Sequence, residues 1–526
     1  MNTIDDWRPA SDVMNVSAIE EGVQYFSTGP DPYIISKPLE FSADAFQAIV
    51  LEMSVTKGSQ LQVFWATKST PHFNEPNSAR LPIEADGKKH IYTLSLASNE
   101  KWRGGITRLR LDPTDTNAKI GMHAFKIIDR IGPRIKALGL YPNRPFARPG
   151  EPIELTAHFK NEGDMDGTVA IDRQVKTVAA GEEMEIHAGT ARAETEKAYP
   201  TSVNWKGLDL NQKEIASGSL STIVEFFDCE NESDTIRLSC PTWDATIFQT
   251  QMGYGPMRFR MKGTQKDTDR AWMSRLGTLW VSGHDEEPQG IPLFAEEGKR
   301  ISPSHYRFAH AIKDRSGHEW SYQLDVTKRT KPDALHLAYA LQSDGGKLLH
   351  FSGPELYIGE RSFGQAKDMA VFPGIEYLDR DAVSSSHAVA HPPVRDHYMP
   401  HPYKNTIPFM SLTHNGNLIA LLWPPNHAWG REGTTLSPQF AVPNRLEHQD
   451  NHLFSLFVPN VPDYTLENRG IAHQPYILEP GETIDMEAVV YLGKSEDPCA
   501  VLDAWLRVYQ QGDFPEPIPA PRSYEE

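Results

Sequence analysis

Short stretches in which apolar and polar residues alternate recur along this chain, and that period of two restricts it to stacked antiparallel sheets. The segments 48–53 (AIVLEM) and 60–65 (QLQVFW) are apolar-rich strand candidates separated by a Lys57-Gly58 turn. Segments 90–96 (HIYTLSL) and 106–111 (ITRLRL) alternate more strictly, and Asp112-Pro113 closes the second. Such alternation buries one face of a strand and leaves the other to solvent. The 40 prolines and 37 glycines are spread along the chain, which suits short strands and tight turns better than long helices. At 526 residues the chain is too long for one hydrophobic core. The expected class is all-β and multidomain.

Four segments follow from this pattern. In residues 1–130, the strand ending at Phe64-Trp65, then His90-Ile91-Tyr92, Trp102-Arg103-Gly104 and Leu109-Arg110-Leu111-Asp112-Pro113 resemble the galactose-binding-like jelly rolls found beside polysaccharide-acting domains. Residues 131–230 open on an Arg148-Pro149-Gly150-Glu151 turn and a strand at 153–159 (IELTAHF) that reaches Asn161-Glu162-Gly163. This opening is similar to immunoglobulin-like spacer domains, which set distance rather than perform chemistry. Residues 231–497 continue as strands, among them 334–341 (ALHLAYAL), 418–423 (LIALLW), 453–458 (LFSLFV) and 484–492 (IDMEAVVYL). A β-segment of that length resembles the galactose-mutarotase-like supersandwich of carbohydrate-active enzymes. In 498–526 the period changes: Val501, Ala504, Trp505 and Val508 fall at helical spacing, so one short helix is expected before a proline-rich end. This order is similar to the front part of bacterial glucoamylases and several glycoside phosphorylases, where a helical toroid follows and carries the catalytic acid.

The densest polar and aromatic stretch runs from Tyr357 to Trp429. Its FPG-x-EYL, SSS and PHPYK pieces are similar to segments of large bacterial proteins and imply no activity by themselves. Sugar sites combine aromatic plates with planar charged groups that bind hydroxyls in pairs. Glycosidic cleavage also needs two carboxyl groups flanking the bond, one of them protonated. Glu360 and Glu376 are the candidates for that pair, and His397, His401 and Tyr403 for a base or a hydrogen-bond donor. Arg361, Tyr377, Asp379, Lys404, Trp423 and Trp102 are the candidate substrate contacts, with Trp102 expected to be exposed in its KWRGG turn. Trp65 and Tyr92, by contrast, read as core. The competing explanation is ordinary: charged residues in loops are usually solvated. His387, His391, His397 and His401 invite a metal reading, but Pro392, Pro393, Pro400 and Pro402 forbid a helix that would bring them to one face, and no H-E-x-x-H is present. No metal is expected there.

The formal charge of −18 argues against a nucleic-acid partner. No apolar run is long enough to span a bilayer, so no membrane partner is expected. The acidic start MNTIDDWRP lacks a signal-peptide pattern, which leaves a cytoplasmic location, or an extracellular or periplasmic one after loss of a leader. Cys229, Cys240 and Cys499 read as free thiols rather than a disulfide framework. Neither a phosphate-binding loop nor a G-x-S-x-G elbow occurs, and no cofactor is expected. The reading is therefore carbohydrate binding, a polysaccharide or oligosaccharide being the ligand, with processing as in glycoside hydrolases. A non-catalytic glycan-binding or scaffold protein and a uronate polysaccharide lyase are the alternatives.

Overall fold

The alternating stretches become strands. A computed structural model of the chain describes residues 6–509, apart from 20–21, 30, 97–98, 130–131, 210–211, 264–268, 283–287, 385–398, 401, 426, 431–434 and 460–474. Helix is confined to short 3-10 turns and Val501–Tyr509 among the described residues. The chain divides into two compact units, one of Met1–Leu138, Phe159–Met184 and Asn204–Gly218, the other of Gly139–His158, Glu185–Val203 and Ser219–Glu526.

In the first unit a six-stranded and a five-stranded antiparallel sheet enclose one apolar core. Strands Gln60–Thr67 and Gly105–Asp112 pair so that Trp65 lies opposite Leu109 and Val63 opposite Leu111. In the other sheet Ala48–Val55 lies between its neighbours Lys119–Ile128 and Lys89–Ser95. Trp65 is fully buried, as its strand phase requires. Trp102 is a correction: expected in an exposed turn, it is 7 % exposed and part of this core. Its ring meets Trp65 edge-on at 5.1 Å, and its indole N–H donates to the Phe46 carbonyl at 2.8 Å. The turn that carries it folds inward because this amphipathic side chain gains both an apolar bed and a hydrogen-bond acceptor there.

Between 135 and 226 the strands form sheets of three and four. Ile135–Pro142, Ile153–Asn161 and Glu183–Ala191 make the first, with Ile153–Asn161 in the middle.

The second unit contains the largest pair of sheets. One has ten strands, centred on Lys347–Ile358. The other has nine, in the order Glu297–Ser302, His305–Lys313, Glu319–Thr330, Asp333–Ser343, Thr483–Lys494, Asn417–Leu422, Phe409–His414, Met369–Phe372, Glu376–Leu378. Both sheets contribute side chains to one apolar layer, Met257, Phe259, Leu279, Leu356 and Phe454 from the first and Leu324, Leu337, Leu421, Met486 and Val490 from the second. The expected stacked pair is therefore present.

The outer face of the nine-stranded sheet is treated differently along its width. Helix Val501–Tyr509 lays Val501, Ala504 and Val508 on Ala334, Val371, Phe409, Ala420, Leu422 and Val489, as the spacing predicted. The Trp505 indole donates to the Trp423 carbonyl at 3.1 Å, anchoring the helix. The strands from Glu297–Ser302 to Asp333–Ser343 supply only Ala334 to the buried part of this helix contact.

Trp102→Ala removes a buried ring and leaves the Phe46 carbonyl without its donor. It should destabilise the first unit by about 3–5 kcal/mol, read as a lower midpoint in urea unfolding followed by circular dichroism.

Candidate functional site

Side chains two residues apart share a face, so the register of the nine-stranded sheet sets out its open surface in rows. One row runs Lys299, Arg307, Asp325, Ala338, Glu487 across five strands. The next is Glu297, Ala309, Gln323, Ala340, Asp485, and a third is Ala311, Ser321, Gln342, Thr483. Alanines in the middle and longer polar side chains around them produce a shallow trough. This groove encloses about 630 Å³ and is lined by Glu297, Lys299, Arg307, Ala309, Gln323 and Ala340 together with Glu296, His310, Ala311, Ser321, Tyr322 and Gln342.

The polar groups of the trough are held in place by one another. Arg307 donates Nε to Asp325 Oδ1 at 2.8 Å and Nη2 to Asp325 Oδ2 at 3.0 Å. His305 Nε2 shares Asp325 Oδ1 at 2.8 Å, and Gln323 Nε2 donates to Asp325 Oδ2 at 2.9 Å. Partial burial alone would raise the Asp325 carboxyl, but the bonds from Arg307 and His305 outweigh it and hold the group below its ordinary range. Farther along the first row, Glu487 accepts from His336 at 3.1 Å, and that bond lowers its carboxyl as well. Gln342 donates to Thr483 Oγ1 at 2.6 Å. The result is a fixed set of planar amide, guanidinium and carboxylate groups over a flat apolar floor.

The residues expected from the sequence lie elsewhere. Glu360 is 7 % exposed in the loop after Lys347–Ile358, on the other sheet. It accepts from Asn451 Nδ2 at 2.9 Å, and burial raises its carboxyl above the ordinary range. Asn451 in turn bonds Gln449 and Asn444, and Asn444 donates to Glu447. Glu447 is half-buried, and desolvation pushes its carboxyl from its ordinary 4.5 up to about 7. Arg361 pairs with Glu151 at 3.1 Å. Burial alone would raise the Glu151 carboxyl, but Arg361 and Arg148 bring it down to about 2. Glu360 and Arg361 thus belong to an internal polar network.

Glu376 is 6 % exposed in Glu376–Leu378, the last strand of the nine-stranded sheet, opposite Phe372. Gly374 makes the turn between these strands with φ +82, where a Cβ would meet Thr406 Cγ2 at 2.7 Å. Tyr377 is exposed, the Asp379 carboxylate accepts from the Ala382 N–H at 3.1 Å, and Lys404 is exposed on the turn Pro402–Lys404. Trp423, expected at a ligand, is a correction: it is 4 % exposed within the layer between the sheets. It directly follows the strand Asn417–Leu422, in phase with Ile419 and Leu421, which point into the same layer. His387, His391, His397, His401 and the side chain of Tyr403 lie outside the described residues. Glu360 and Glu376 are therefore carried by different sheets. Cys229, Cys240 and Cys499 are free thiols, as expected.

The groove residues escaped notice because each strand reads as an ordinary half-buried one. Their signal was present in the outward phase of 319–330 and 333–343, where Ser321, Gln323, Asp325, Ala338 and Ala340 replace the long lysines and glutamates of a solvated face.

No protein-family model matches the chain, and no curated protein sequence matches it. Among solved structures, it is similar to a galactose mutarotase-like protein from Clostridium acetobutylicum at 9 % identity and TM-score 0.29, over 49 % of this chain and 95 % of that one. It is also similar to the glycoside hydrolase domain of Endo-D from Streptococcus pneumoniae R6, at 11 % identity and TM-score 0.18, over 41 % of this chain and 36 % of that one. A third is a beta-1,2-glucanase from Parabacteroides distasonis, at 10 % identity and TM-score 0.17, over 42 % and 37 %. The chain thus spans little more than a third of either hydrolase chain. TM-scores this low establish neither a shared fold nor a shared chemistry, and the groove is read on its own residues.

The Glu447 carboxyl gives a pH signature. Its folded value lies above its ordinary one, so the folded state holds the extra proton between 4.5 and about 7 and stability falls as pH rises through that window. Glu447→Gln should remove one such group, and its stability relative to the parent should be higher at pH 8 than at pH 4. Urea unfolding at both pH values checks the sign.

Proposed function

We propose that this chain binds a carbohydrate, an oligosaccharide or a polysaccharide segment, in the open groove of the nine-stranded sheet. The observation that carries the reading is the composition of that groove. Its lining pairs Glu296 and Glu297 with Lys299 and Arg307, and the rows that frame it add Asp325, Glu487 and Asp485, so the face is polar and carries no excess of cations. A polar, preorganised trough without a cationic excess favours an uncharged ligand rich in hydroxyl groups over a polyanion. Arg307 spends two N–H donors on Asp325 and keeps the others for a ligand. Ser321, Gln323 and Gln342 supply both donors and acceptors, and Ala309, Ala311 and Ala340 offer a flat apolar bed for the C–H face of a sugar ring.

The chemistry favoured in this groove is binding. Hydrolysis requires a carboxylic acid that keeps its proton near neutral pH. Asp325 and Glu487, the carboxylates on this face whose values are displaced, are both displaced downward and act as hydrogen-bond acceptors. Glu447 and Glu360, which are displaced upward, are tied by hydrogen bonds to Asn444, Tyr357 and Asn451 rather than placed on this face.

Screening the purified chain on a glycan array identifies a ligand, and calorimetry then measures its affinity. Arg307→Ala should weaken binding about tenfold or more, the worth of a charge-assisted hydrogen bond. Ala340→Trp should abolish binding by filling the trough, with an unchanged circular dichroism spectrum. Glycan affinity untouched by both substitutions would overturn the assignment.

A further inference from the structure

A second cluster lies outside the groove, at the three-stranded sheet of Ile135–Pro142, Ile153–Asn161 and Glu183–Ala191. On Ile153–Asn161 the outward positions Glu154, Thr156 and Lys160 are half-buried, while His158, in the same phase, is 7 % exposed. His448 and Tyr141 cover it: the two imidazole rings lie 3.8 Å apart, and the Tyr141 ring is 5.0 Å from His158 and 4.6 Å from His448. Glu185, on the neighbouring strand, brings Oε1 to 3.6 Å from His158 Nε2 and 4.0 Å from His448 Nδ1. All three ligand-type atoms fall within 4.8 Å of one another.

The loop that delivers His448 is built rather than loose. Its N–H and carbonyl groups close on themselves through Asn444 N–H to Asn451 O at 2.8 Å and Gln449 N–H to Asn444 O at 3.0 Å. Glu447 is turned inward to Asn444 and Tyr357, and Gln449 donates to the Pro142 carbonyl at 3.3 Å. With its neighbours on both sides engaged in the interior, His448 is directed at His158, and it takes a left-handed φ of 56° to get there. A non-glycine residue in that conformation at a preorganised cluster fits a functional constraint.

We propose that His158, His448 and Glu185 form a binding site for a late first-row divalent cation, zinc above all. Two neutral imidazoles and one carboxylate are a donor set that such ions accept, with bonds of about 2.0–2.2 Å. Two ligands on a tetrahedral ion stand roughly 3.3–3.5 Å apart by that geometry, against 3.6 and 4.0 Å from Glu185 to the two imidazoles and an upper bound of 4.8 Å for every pair, so modest side-chain movements close the site. Glu185, 65 % exposed, has the freedom to make them. Three protein ligands leave a fourth position open to water. Bound metal would tie the 443–451 loop to the two strands beneath it.

The test uses the full chain carrying Cys499→Ser, which removes the exposed thiol as a competing ligand. After chelator treatment and dialysis, the protein is titrated with cobalt(II) and followed by its visible ligand-field bands, then with zinc as competitor. The expected result is one saturable cobalt site, displaced by zinc, with a rise in melting temperature on zinc addition. His448→Ala and Glu185→Gln, both at exposed positions, should each weaken or abolish the bands and the thermal shift with an unchanged circular dichroism spectrum, and His158→Ala should abolish both. Absence of a saturable site in the parent, or full retention of it when His448 and Glu185 are both replaced, would overturn the proposal and leave these side chains as an ion-paired cluster only. Glycan affinity of the same variants reads the groove independently.

Discussion

Everything positioned in the second unit depends on the apolar layer between the ten- and nine-stranded sheets. Each strand that enters it commits alternate side chains inward, so a slip of one residue would expose its whole apolar set. Leu324 and Val326 lie in that layer, and for that reason Gln323 and Asp325 must face out. Burial at roughly 25 cal/mol per Å² of apolar area makes the correct register strongly preferred over its neighbours. The precision of the groove is therefore inherited from the core: Arg307 meets Asp325 because Phe308 and Leu324 are held on the opposite side.

The second organising element is polar. Arg275 is enclosed with Glu225 at 2.7 Å and Glu355 at 3.1 Å, and Thr278 adds a bond to the same Glu355. Such buried pairs stabilise little in net terms, since desolvation offsets attraction, but loss of one partner strands a charge. The nearby line of Tyr357, Glu447, Asn444, Asn451 and Glu360 continues the pattern and fixes the 443–451 loop. A carboxylate in this network resembles a catalytic acid by its raised proton affinity alone. Its enclosure shows that burial by itself produces the same displacement.

The fold was largely legible. Period-two alternation marked the strands of both units, and the switch to helical spacing at Val501, Ala504 and Val508 marked the one α-helix among the described residues. The candidate groove was not, for two physical reasons. Loop composition drew attention to Glu360, Trp423 and Trp102, yet a large or charged side chain in a loop-rich stretch folds inward wherever it finds a partner, as Trp102 finds Phe46 and Glu360 finds Asn451. Conversely, the groove is assembled across five strands whose members are far apart in the chain, and Arg307 and Glu487 share a row only once register is known. His158 shows the same limit: its neighbour His448 arrives from a distant loop. Period and phase reveal which face a residue occupies, and only pairing reveals its company.

The most direct test of the central claim is hydrogen–deuterium exchange with and without a saturating oligosaccharide selected on the array. Slower exchange concentrated in peptides from 305–313, 319–330 and 333–343 is the predicted result, since ligand contact across the trough closes the opening motions of those three strands. Unchanged exchange there, with protection instead at 359–378 or in the first unit, would contradict the groove as the binding surface.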